Sequence, residues 1–158
     1  MKHITLASIE KAIHIVDNLD DDQLEALTEK YAEQQPILLD YVLSASVEYD
    51  NDELEGLLIY YFCLIMESFN QEKVETREVQ ETDIDEMQEP YFDMLDQYFE
   101  DENEEALESF CDQPNLAQFM AMEVSTDDED GSTFDEETAT QLFIVSLAMV
   151  TLLNRAIA

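Results

Sequence analysis

The sequence is poor in the residues that turn chains and in positive charge. Two glycines, Gly56 and Gly131, and three prolines, Pro36, Pro90 and Pro114, serve 158 residues. Tight hairpins, β-sandwiches and glycine-rich phosphate loops place Gly and Pro at fixed turn positions, so those architectures have almost no material here. Six Lys and Arg stand against 40 Asp and Glu, a formal charge of −34. Binding to nucleic acid neutralises phosphates with Lys and Arg, which excludes nucleic acid as a direct ligand, and an anionic membrane surface on the same ground. A basic protein, a cationic ligand or a metal ion is what such a surface attracts. The two cysteines, Cys63 and Cys111, both fall inside apolar helical patterns and read as a reduced, buried pair. Residues 2–13 lack a secretory pattern, because Glu10 and Lys11 interrupt the apolar positions, so a cytoplasmic protein is expected.

What is present is apolar bulk: 46% hydrophobic residues, with eight Phe, seven Tyr and seven Met. Disorder needs low hydrophobicity together with high charge, so this chain is expected to fold, and its length suits one domain. The apolar positions recur at helical spacing. Leu6, Ile9, Ile13 and Val16 predict a helix over 5–18, and Asp20 with Gln23 forms a capping box before Leu24, Leu27 and Tyr31. Pro36 suits the first turn of a third helix with Gln35 as its cap, ending at Asp50 to Asp52. Asp50 and Glu53 form a cap pair for a fourth helix, in which Leu57 to Met66 is ten apolar residues in succession. Gly56, one turn inside it, suggests close approach of another helix. Residues 70–81 lack an apolar stripe and read as a mobile connection or frayed helix end.

Thr82 is the expected cap of a helix whose seam is Ile84, Met87, Tyr91, Met94 and Tyr98, widened by Leu95 and Phe99. Pro90 is expected to kink or divide it. After a charged turn at 101–105, Ala106, Leu107, Phe110 and Cys111 define a short helix. Pro114 opens another, with Leu116, Phe119, Met120 and Val124 inward. Thr133 and Glu136 form a further capping box for the last helix, where Leu142 to Leu153 is apolar apart from Ser146 and Thr151. Residues 138–158 approach a membrane-spanning length, but Gln141, Ser146, Thr151 and Asn154 favour a core helix. The expected fold is a single all-α domain over 1–158: a bundle of six to eight helices around two central apolar ones, 52–69 and 134–156. If cover of the C-terminal helix is incomplete, it becomes a homodimer seam.

Two constellations carry chemistry. Counting Gly131 as the sixth position of an EF-hand-like loop puts Asp128, Asp130 and Glu137 at ligand positions for Ca²⁺, with Ser132 contributing its carbonyl. Thr126 stands where the first carboxylate belongs and Thr133 where a branched apolar residue does, so a solvated acidic loop is the plainer reading. The second constellation is a file of carboxylates, Asp85, Glu89, Asp93, Asp96 and Glu100, stacked on the flank opposite the apolar seam and roughly 22 Å long. Such a file can imitate a phosphate track; it can equally be a solvated face. Catalysis lacks material. His3 and His14 provide one Glu-x-x-x-His pair with Glu10, too little for a di-iron site, and neither cysteine sits in a nucleophile setting. Val74 to Glu137 holds 24 of the acidic residues and one basic residue, Arg77. The expectation is a non-enzymatic acidic protein that binds a basic partner, in the extreme case as a nucleic-acid mimic, without a cofactor other than a conceivable Ca²⁺. The alternatives are a degenerate Ca²⁺-binding module, or a helical domain whose charge serves solubility.

Overall fold

Thr5 and Asp20 start the first two helices as their spacing predicts. In the computed structural model, which describes residues 3–102, 104–125 and 136–157, the Thr5 side chain accepts from the Ser8 N–H to open α1 (Leu6–Asp17). Asp20 and Gln23 form a full capping box on α2 (Asp21–Gln34). Pro36 occupies the first turn of α3 (Pro36–Glu48). Then come α4 (Asp52–Gln71), α5 (Glu81–Asp101), α6 (Glu104–Cys111), α7 (Pro114–Ser125) and α8 (Glu136–Arg155). The described residues thus form an all-α bundle with eight helices and no strand beyond an isolated Thr76–Ile157 bridge.

Helices α4 and α8 are its centre. α4 packs against α1, α2, α3 and α8, while α8 packs against α3, α4, α5, α6 and α7. Residues 61–69 of α4 are buried without a break, and residues 141–154 of α8 are buried except for the half-buried Ile144. One hydrophobic core draws on every helix, from Ile9, Tyr31 and Leu38 through Leu107 and Leu116. Among the described residues α8 alone is long and apolar enough to cross a membrane, and 72% of that window is buried inside the fold. Its exposed residues over 137–157 are Glu137, Thr140 and Arg155.

Several local readings are overturned, and the cause is usually a distant partner. Gln35 precedes α3 but makes no side-chain capping bond. It is buried instead: its Oε1 accepts from the Val79 N–H at 2.8 Å, and its Nε2 donates to the Arg77 carbonyl at 2.8 Å and to Thr76 Oγ1 at 3.3 Å. Those bonds fix the segment expected to be mobile or frayed. The Arg77 N–H also donates to the Ala156 carbonyl at 2.7 Å, and Val79 is fully buried. Asp50 does not cap α4; its φ of 52° turns the chain through the left-handed region after α3. Asn51 takes the N-cap position without a capping bond and spends its amide on Thr138 Oγ1 and Gln141 Oε1 of α8, both at 2.9 Å. Gln80, not Thr82, caps α5, in a box with Asp83.

Pro90 does not divide α5, which runs through it. Its missing N–H leaves the Glu86 carbonyl without its helical donor, but Glu86 and Pro90 are both exposed, where water can substitute. Gly56 is exposed and a Cβ there would meet nothing within 4 Å, so no close helix approach requires it. The capping residue Thr133 lies outside the described residues.

Two stability changes follow. Gly56→Ala, at an open helical site, should raise the urea-unfolding free energy by about 0.5–1 kcal/mol, since Ala costs less helix entropy. Gln35→Ala should lower it by about 1–3 kcal/mol, because the buried Val79 N–H loses its acceptor.

Candidate functional site

The seam of α5 faces inward: Ile84, Met87, Tyr91, Met94 and Leu95 are buried, and the Tyr91 hydroxyl donates to the Ile144 carbonyl of α8. Tyr98 is half-buried, with its ring 5.8 Å from Phe143. At about 100° per residue, anchoring that face turns Asp85, Glu89, Asp93, Asp96 and Glu100 to the opposite side. All five are exposed, on one unbroken helix. Glu81, Glu86 and Asp101 are exposed on the same helix.

Arg77, Lys30 and Arg155 are each engaged by groups other than these five acids. Among the described residues the one Lys or Arg ion pair joins Arg77 to Asp83, at 2.7 and 2.9 Å. The Arg77 hydrogen bond holds the Asp83 carboxyl down at about 2. With its folded pKa below the unfolded value of about 3.9, this pair stabilises the fold fully above that value, and the contribution is lost as pH falls toward 2. Lys30 lies over the Tyr31 ring at 5.2 Å and Arg155 over Phe110 at 5.4 Å. Among the described residues none of the five ridge carboxylates joins a hydrogen bond or an ion pair.

The ridge has an apolar border that sequence reasoning missed. Phe92 is 44% exposed and Phe99 50%. They are seven residues apart, within about 20° of each other around the helix, with Asp96 between them. The seam pattern predicts Phe99 to face inward, but half of it is exposed. The signal that finds both is register: Phe92 follows Glu89 by three and precedes Asp96 by four, which places it with the acids.

Of the carboxylates predicted as Ca²⁺ ligands, Glu137 alone falls among the described residues. Asp128 and Asp130, with Thr126 and Ser132, lie outside the described residues. Glu137 is exposed on the first turn of α8 and accepts from Gln141 Nε2 at 3.3 Å. Among the described residues no three His, Cys, Asp or Glu side chains are placed to hold a metal. His3 is exposed, with Nε2 3.3 Å from Asp112 Oδ1, and His14 is exposed beside the Asn18 amide. Cys63 and Cys111 are free and buried. Burial pushes the Cys111 thiol up to about 11 against an opposing hydrogen bond from Thr151, and it raises Cys63 likewise, so neither is poised as a nucleophile.

The arrangement offers a dense, unneutralised anionic surface edged with aromatics. Comparison with protein-family models, with curated proteins and with solved structures finds no match to this chain.

Asp93→Lys tests the cost of the ridge. It removes repulsion from Glu89 and Asp96 and supplies a Glu-to-Lys pair in the favourable order. Thermal and urea unfolding should show a gain of about 0.5–1 kcal/mol.

Proposed function

We propose that this is a non-enzymatic interaction protein whose acidic α5 face binds a basic partner protein. The observation that carries the reading is the five-carboxylate ridge left without cations and bordered by exposed Phe92 and Phe99. The repulsion at Asp85–Glu89, Glu89–Asp93 and Asp96–Glu100 costs a few tenths of a kcal/mol per pair, a cost that solubility alone does not require in one file. The aromatic border favours a protein partner, because it adds apolar contact beside an otherwise polar surface. Cytoplasmic residence suits the two free thiols.

Nucleic-acid mimicry is the extreme form of this function. One carboxylate per ~5.5 Å of helix compares with one phosphate per ~3.4 Å along a DNA strand, so the ridge carries rather more than half the line charge of a single strand. A basic groove that tracks one strand would accept it.

Fluorescein-labelled octa-arginine is a suitable probe. Its affinity should fall about tenfold or more between 20 and 200 mM salt. At low salt Asp93→Lys or Asp96→Lys should weaken it more than Glu25→Lys, an exposed acid on α2 away from the ridge. Equal weakening by all three variants would sink the ridge as a site and return the charge to a general role in solubility.

A further inference from the structure

We propose that the groove between α3, α5 and α8 receives an arginine side chain of the basic partner, as the anchor of the interaction proposed above. The groove encloses about 360 Å³. Its lining includes three aromatic rings, Tyr41, Tyr49 and Phe92, the buried Val145, and two exposed carboxylates, Glu48 and Glu89.

This combination matches a guanidinium more closely than any other common group. The planar cation stacks on aromatic faces and is weakly hydrated, so it tolerates partial burial, while carboxylates at the opening supply its countercharge. Among the described residues neither Glu48 nor Glu89 has a cationic partner. Burial raises the Tyr41 phenol, against an opposing hydrogen bond from Gln88, and raises Tyr49, with the Glu48 carboxylate adding to the effect. Both rings therefore present neutral phenols at neutral pH, and Glu48 lies close enough to Tyr49 for its field to be felt.

The groove is also continuous with the acidic face. Glu89 and Phe92 belong to both, so a basic segment lying along α5 can drop one side chain between α3 and α8 without leaving the ridge. The cleft between α5, α6 and α7 is less suitable. Its single lining carboxylate, Glu108, already accepts from Gln118 Nε2 at 2.9 Å.

The test is an amide-resolved NMR titration of the full chain with N-acetyl-arginine-N-methylamide, and with its uncharged citrulline counterpart, at one ionic strength. The arginine compound should perturb residues 41, 45, 49, 88, 89 and 92 in a saturable manner, and the citrulline compound should not. Phe92→Ala and Glu89→Gln, both at exposed positions, should each weaken the arginine response about fivefold while spectra elsewhere stay unchanged. Perturbations spread evenly along α5, or unchanged in Phe92→Ala, overturn the groove. If octa-arginine still binds the ridge in that case, only the anchor is lost. If octa-arginine also fails to bind at low salt, the reading of the acidic face falls with it.

Discussion

Residues 61–69 of α4 and 141–154 of α8 have almost no solvent side, and each helix supplies part of the other's cover, which α1 and α3 complete for α4 and α7 for α8. Phe62, Leu64 and Ile65 on one, and Leu147, Val150 and Leu153 on the other, are essentially inaccessible. Burying a large aliphatic or aromatic side chain contributes about 1.5–3 kcal/mol, whereas a like-charge pair one helical turn apart costs a few tenths. This difference in scale lets a chain of charge −34 fold: a core of this size offsets a surface that repels itself. The outer helices follow from the same constraint, each giving one apolar stripe to the central pair and turning its acids outward.

Polar side chains then hold the connections in place, and several are amides. Gln35 fixes the α4–α5 connection, and Asn51 joins the start of α4 to α8. Gln113 accepts from the Ile4 N–H and donates to Asn154 Oδ1, so the segment before α1 is tied to the α6–α7 junction and to α8. One acid is used the same way. Glu72 accepts from the Thr5 N–H, the Thr5 hydroxyl and the Ser8 hydroxyl, placing negative charge at the N-terminus of α1, where the helix dipole favours it.

What could be read from the chain and what could not divides along sequence distance. The Asp20–Gln23 box and the Ile84-to-Tyr98 seam are local patterns, and both stand. Gln35 looks like a cap by position, yet its partners lie 41 to 44 residues away, so a short-range rule misassigned it. Residues 70–81 carry no helical stripe and so read as loose; Val79 is nonetheless buried where Gln35 binds its N–H and the Arg77 carbonyl. At the candidate site the carboxylate file was legible because i, i+4 spacing needs only a helix. The groove was not, because Tyr41, Phe92 and Val145 meet only once three helices are packed.

The pairing of α4 with α8 also sets a timetable for synthesis. α4 ends at Gln71; α1, α2 and α3, which also cover it, are made before it, but α8 begins only at Glu136, some 65 residues later. At ordinary rates of translation the delay is roughly 3–13 s, during which the face of α4 that α8 covers is exposed to neighbouring nascent chains. The intervening residues are the most acidic in the sequence. Each emerging chain therefore carries added negative charge before that face is covered, and like-charged intermediates keep one another at a distance. The surface that burdens the finished fold is, on this account, a safeguard while the fold is being made.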